Sequence, residues 1–139
     1  MSFKHCTPIE IRFVDLDVFG HVNNANYLTY LEQARVKYFD DLVGWEYDWS
    51  KEGIILAQAT LNFLVPIKLK DIISVYTRCE RIGNKSLLLE YRIVKNNGVE
   101  ELLMADARTV LVAFDYVNRK SIQVPERWKE AILGYEGEL

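Results

Sequence analysis

Apolar residues recur in this chain at two different periods, and the point where the period changes constrains the fold more than any other feature. From His5 to Val14, Ile9, Ile11 and Phe13 fall on one face with Glu10 and Arg12 on the other, the spacing of a half-buried strand. From Tyr27 the step becomes three and four. Tyr27, Tyr30, Leu31, Ala34, Tyr38 and Leu42 share one side, and Glu32, Gln33, Lys37 and Asp41 take the other. That spacing predicts a helix of about four turns. Asn24 and Asn26 both suit its N-cap, and Gly44 falls where a left-handed C-terminal cap usually sits.

Beyond Gly44 the sequence reads almost entirely as strands. Trp45 to Glu52 is aromatic and acidic without clear period, a loop or short helical turn that packs two tryptophans at a domain edge or interface. Alternation returns from Ile54 to Val65 and stops at Pro66. Asp71 to Arg81 and Lys85 to Lys95 are two strands joined at Gly83-Asn84, and Asn96-Asn97-Gly98 leads into a last strand from Val99 to Phe114. Pro125 opens a short C-terminal helix with Trp128, Ile132 and Leu133 as packing residues. The order implies an α+β fold in which a curled, mostly antiparallel five-stranded sheet wraps one long central helix. Ala57, Ala59, Ala105 and Ala107 would let the helix approach closely. An open sheet leaves two edges, so at least a dimer is expected.

At 139 residues the chain has the length of one domain, read as spanning 1-139. Lys and Arg number 17 against 20 acidic residues, so no broad positive surface exists for nucleic acid or an anionic membrane. Cys6 and Cys79 lie far apart and form no metal-ligand spacing with the histidines, so both are expected reduced and structural. No stretch has the length or hydropathy of a leader or a membrane span, which predicts a soluble cytoplasmic protein.

Between first strand and helix lies a tight polar loop holding Asp15, Asp17, Gly20, His21, Asn23, Asn24 and Asn26. The first N–H groups of a helix have no internal partner and sit at the positive end of its dipole, which suits an anion or a developing oxyanion. A carboxylate in the same loop sets an acid or nucleophile beside that donor. Asp17 either works chemically or caps the turn, whereas Asp15 is expected to hold the loop through backbone hydrogen bonds. Gly20 allows the chain to turn back toward the helix start. His21 is open between orienting Asp17, binding substrate, acting as an acid and serving as a structural histidine.

The run RFVDLDVFGHVNNANYLTYLEQAR resembles the signature of the hotdog-fold acyl-CoA thioesterases, in particular the 4-hydroxybenzoyl-CoA thioesterase-like family. The resemblance is specific over the N-terminal quarter, and the later strand order fits the same fold more loosely. It implies that Asp17, the second aspartate of the D-x-D, is nucleophile or general base, and that the oxyanion donor is a backbone N–H at or near Asn24. His21 departs from family members that carry an apolar residue after the glycine. The resemblance also implies an acyl-CoA substrate, no metal or cofactor, and a homodimer or homotetramer with active sites at subunit interfaces. Coenzyme A is a large anion, so Arg81, Lys85, Arg119 and Lys120, at strand ends or turns, either converge on its phosphates or are scattered surface charge. Ser86 would lie beside the pantetheine arm, and Tyr27 is read as either acyl pocket or core. The words GHVNN also occur in thioesterases acting on acyl-acyl carrier protein, which leaves that substrate open, together with a non-catalytic acyl-CoA-binding module.

Overall fold

The computed structural model describes residues 2–139. Strand β1, His5–Ile9, is followed by a single 3-10 turn, Phe13–Asp15, and by helix α1, Asn24–Leu42. Strands β2 (Glu52–Phe63), β3 (Ile73–Ile82), β4 (Ser86–Asn96) and β5 (Glu101–Asp115) follow, then a two-residue β6 (Lys120–Ser121) and helix α2 (Glu126–Glu136). Every pairing is antiparallel, in the order β1-β3-β4-β5-β2, with β6 against β5. The sheet therefore has six strands rather than five, the addition being the short β6.

Local chemistry sets the boundaries. β1 stops at Ile9 instead of running to Val14, because the Asp15 carboxylate accepts the Arg12 backbone N–H at 3.0 Å and turns the chain. Pro8 is tolerated because β1 is an edge strand, paired only with β3. The helix begins a turn earlier than its apolar period, and its N-cap is Asn23, not Asn24 or Asn26: Asn23 Oδ1 accepts the Ala25 N–H at 3.0 Å. Gly44 does close the helix, at φ 100° with its N–H on Phe39 O at 3.1 Å. The Gly83–Ser86 turn is closed by Gly83 N–H to Ser86 O at 2.8 Å. Asn97 Oδ1 collects the N–H groups of Val99 and Glu100 between β4 and β5, with Gly98 at φ 89°.

Helix α1 packs chiefly against β1, β3 and α2. Tyr30, Leu31, Ala34 and Tyr38 are buried there against Val75, Leu89 and Tyr91 of the sheet. A fully buried side chain of this kind contributes about 1.5–3 kcal/mol relative to leaving it in water. Of the small residues expected to let the helix approach, Ala105 and Ala107 are buried, Ala59 is half-buried and Ala57 is exposed. A register shift between Leu56 and Gln58 puts a bulge at Ala57, and α1 touches β2 mainly through the Tyr27 ring on Phe63. Much of the inner face of β2 is left uncovered as a result.

Helix α2 closes the other flank. Trp128 and Ile132 are buried, and Trp128 stacks on Trp49 at 5.3 Å between ring centroids. Glu136 Oε2 accepts the Tyr38 hydroxyl at 2.7 Å and the Cys79 N–H at 3.0 Å, tying α2 to both α1 and β3. Leu133 faces solvent at 40% exposure, contrary to its expected packing role, and Trp45 is exposed while Trp49 is not. Both cysteines are free thiols, Cys79 buried and Cys6 exposed, so only Cys79 has the structural setting expected of the pair. Among the described residues, no helix is long and apolar enough to cross a membrane.

Candidate active site

The polar loop folds as a miniature hairpin. Leu16 and Val22 form an isolated antiparallel bridge, Asp17 N–H donates to His21 O at 2.8 Å, and Gly20 N–H donates to Asp17 O at 3.2 Å. Asp17 Oδ1 accepts the N–H groups of Phe19 at 2.8 Å and His21 at 3.2 Å. Gly20 sits at φ 82° with nothing within 4 Å of where a Cβ would stand, so it is required for the hand of the turn rather than for space. Val22 N–H reaches Ile67 O at 2.7 Å and His21 bridges Lys68, so the hairpin is clamped onto the segment after β2. Its tip, Val18 and Phe19, is 94% and 80% exposed.

Asp15 supports the hairpin from below. It is 1% exposed, and its carboxylate accepts the Arg12 guanidinium at 2.8 Å, the Arg12 N–H and the Tyr30 hydroxyl at 2.7 Å. Burial alone would raise the Asp15 carboxyl, but the hydrogen bonds from Arg12 and Tyr30 outweigh it and hold the group below the ordinary aspartate range. The Tyr30 phenol is pushed up, first by burial and then by that carboxylate. The Asp15 carbonyl accepts the Asn23 N–H at 2.8 Å and the Asn26 side-chain amide at 3.0 Å, which fixes where the helix starts.

A helix N-terminal donor and a carboxylate oxygen are left unengaged by this network. Ala25 N–H is taken by Asn23 Oδ1 and Asn26 N–H by Asn23 O, but the Asn24 N–H has no hydrogen-bond partner among the described residues. Neither does Asp17 Oδ2. The site thus offers a carboxylate oxygen and an open helix N-terminal donor seven residues apart in one rigid loop. The His21 ring is half-buried and takes no hydrogen bond among the described residues, while its backbone holds the hairpin shut. Tyr27 lies in the core, edge-to-face on Phe63 at 4.9 Å, and burial raises its phenol.

The other sequence-nominated residues lie at the far end of the sheet. The polar loop follows Ile9, which pairs with Ile73, and Ile73 pairs with Lys95. Arg81, Lys85 and Ser86 cluster where Ile82 pairs with Leu87, roughly nine strand steps and about 30 Å away. Lys120 of β6 pairs with Asp115 close to where Lys85 O meets Ala113 N–H, and Arg119 stands in the adjoining turn at φ 54°. One chain therefore gathers Arg81, Lys85, Ser86, Arg119 and Lys120 at one end but does not bring them to Asp17. Besides Arg12, paired with Asp15, the cation beside the hairpin is the exposed Lys68, bridged to His21, with Lys70 two residues on, and sequence reading passed over both lysines. Their only signal was a position just past Pro66, and nothing local ties that segment to His21. Tyr30 was missed as well, since its spacing reads simply as core. Among the described residues, no three His, Cys, Asp or Glu side chains are placed to hold a metal.

Residues 11–132 match the family described as the thioesterase-like superfamily. The long-chain acyl-CoA thioesterase FadM of Escherichia coli is 26% identical over 127 residues, covering 91% of this chain and 95% of its own. The chloroplastic acyl-acyl carrier protein thioesterase ATL3 of Arabidopsis thaliana is 27% identical over 90% of this chain and 65% of its own. Among solved structures, a thioesterase from Thermus thermophilus complexed with coenzyme A and zinc is 31% identical, with a TM-score of 0.84, covering 99% of this chain and 97% of its own.

Proposed function

The chain belongs to the thioesterase-like superfamily, and on that premise we propose that it hydrolyses acyl-CoA thioesters with Asp17 and the Asn24 N–H as its working groups. The observation that carries this reading is the pair of unengaged groups: one Asp17 carboxylate oxygen and one helix N-terminal donor, held in a loop fixed by the Asp15, Asp17 and Asn23 hydrogen bonds. Asp17 either attacks the thioester carbonyl carbon, giving an acyl-carboxylate anhydride that water then opens, or takes a proton from water as it attacks. In both routes attack on the carbonyl carbon makes its oxygen negative, and collapse of that oxyanion re-forms the carbonyl and breaks the C–S bond, so that the thiolate of CoA leaves and is protonated. A preorganised N–H at that oxygen is worth about 3 kcal/mol of barrier. The half-buried His21 is assigned a holding role through its backbone, which His21→Ala tests by its pH–rate profile.

Sheet geometry supports an assembly of at least two copies. The outer edge of β2 is unpaired among the described residues and carries exposed Ile55, Leu56, Phe63 and Leu64. Two such edges joined antiparallel about a two-fold axis would place the Asp17 end of one copy beside the basic end of the other. Arg119, Lys120, Lys85 and Ser86 would then serve the CoA bound at the partner's Asp17. Domain 1-139 acts as one unit in this reading, with no cofactor.

Thiol release from a panel of acyl-CoAs, by wild type and by an equally folded Asp17→Asn, tests the proposal. Turnover that falls by about 100-fold or more in the variant supports it; equal rates remove Asp17. Mixing Asp17→Asn with an Arg119→Glu/Lys120→Glu double variant should restore activity neither has alone if the site is shared between copies. The match to ATL3 favours a second substrate form, an acyl group on a carrier protein, and a faster rate on that form would identify it. A tight complex without turnover would mark a binding module.

A further inference from the structure

A groove opens on the flank of α1 that the sheet leaves uncovered. Its walls are Val36 and Phe39 of α1, Trp45 and Trp49 of the following loop, and Ile54 and Leu56 of β2. On β2, Phe63, Leu61, Ala59, Leu56 and Ile54 stand opposite Ala105, Ala107, Thr109, Leu111 and Ala113, all buried, so their side chains point to the same inner face. This apolar track runs from Tyr27 and Phe63, near the start of α1, to the tryptophan groove.

One cation stands in this apolar setting. The Arg35 side chain is 12% exposed, yet its guanidinium makes one long hydrogen bond, 3.4 Å to the Tyr91 hydroxyl, which is itself engaged with Thr109 at 2.7 Å. Glu32 stands 3.8 Å away, too far for a hydrogen bond. A guanidinium has five donors, and those of Arg35 without a protein partner reach into the groove's solvent, so a chain end laid over them must supply an acceptor oxygen or leave them bare. Arg35 lies three helical turns beyond Asn24 on the same stripe, about 16 Å along the axis, a distance of the order a medium-length acyl chain spans. Glu32 and Asp40 also line the groove and disfavour a second negative charge.

We propose that this groove receives the far end of the acyl group and that Arg35 selects chains carrying a neutral oxygen there, a hydroxyl or carbonyl. The inference rests on the thioesterase reading above and adds the substrate class. A plain methyl end leaves the guanidinium donors unmet, and a site built to hydrogen-bond an oxygen rejects the analogue that lacks it.

The test compares thiol release from dodecanoyl-CoA, ω-hydroxydodecanoyl-CoA and the mono-CoA thioester of dodecanedioic acid. Wild type should favour the ω-hydroxy substrate over the plain chain by about 10-fold or more in kcat/KM. In Arg35→Met the ratio should fall to near one. A wild-type ratio of one, or an unchanged ratio in the variant, overturns the proposal, and a preference for the dicarboxylate overturns the assignment of a neutral oxygen. Quenching of tryptophan fluorescence by ω-hydroxydodecanoic acid against dodecanoic acid reads the groove in wild type without turnover or a variant. Tighter binding of the hydroxy acid supports the groove even if no thioester is cleaved, whereas equal binding counts against it whatever the enzyme hydrolyses.

Discussion

The two flanks of α1 are built to opposite purposes. On the side of β1, β3 and α2, Tyr38, Trp128 and Ile132 are buried, and hydrogen bonds tie the elements together, Tyr38 to Glu136 and His5 Nε2 to Asp41 at 2.8 Å. On the side of β2 the contact is sparse, Leu56 and Phe63 stay 41% and 48% exposed, and Arg35, which lines the groove with Glu32 and Asp40, makes one long hydrogen bond. Stability is concentrated where apolar burial is complete, and ligand chemistry where it is left incomplete.

The comparison is broken most directly by emptying the closed flank. Trp128→Ala should cost about 3–5 kcal/mol in urea unfolding, since a fully buried ring and its stack on Trp49 are lost. Tyr38→Phe removes one donor to Glu136, and a loss of about 1–3 kcal/mol is expected by the same measurement. A smaller effect is pH-dependent. Burial alone would raise the Asp41 carboxyl, but hydrogen bonds from His5 and Lys37 outweigh it and lower it. A carboxyl whose folded value is depressed adds stability above its unfolded value, near 3.9, and loses it as pH falls through the folded one. Acid unfolding curves should therefore show a shallower loss below about pH 4 in Asp41→Asn than in wild type. The smallest change belongs to the open flank: Leu28→Ser should move the unfolding free energy by no more than about 0.5 kcal/mol. A loss as large as that of Trp128→Ala would mean that another copy covers this flank.

Much of this was legible in the sequence because it is local. The change of period at Tyr27, the Gly83-Asn84 and Asn97-Gly98 turns and the cap at Gly44 each depend on residues within a few positions, and each is found. The loop with Asp17, Gly20 and Asn24 was legible for the same reason, since its hydrogen bonds run between residues 12 and 26. What failed was whatever periodicity does not encode, near or far in the chain. Alternation from Ile11 to Phe13 reads as strand, but the Arg12–Asp15 hydrogen bonds override it. The bulge at Ala57 shifts which β2 residues face inward, and no periodicity announces it. Basic residues spread along the second half look like candidates for one anion site. Only the strand register reveals that they sit at the opposite end from Asp17.

The place of β2 in the sheet also bears on how the chain folds. β3, β4 and β5 are successive hairpins with short turns, so they can zip together early. β2 precedes them in sequence yet pairs with the last, Phe63 with Ala105 and Glu52 with Asp115, so a long loop must close before any of its ladder forms. Folding should then proceed through a state in which the meander is paired and β5 still offers a bare edge. During that interval the chain is most prone to join the wrong neighbour, and slow refolding at high concentration is where the fold is most easily lost.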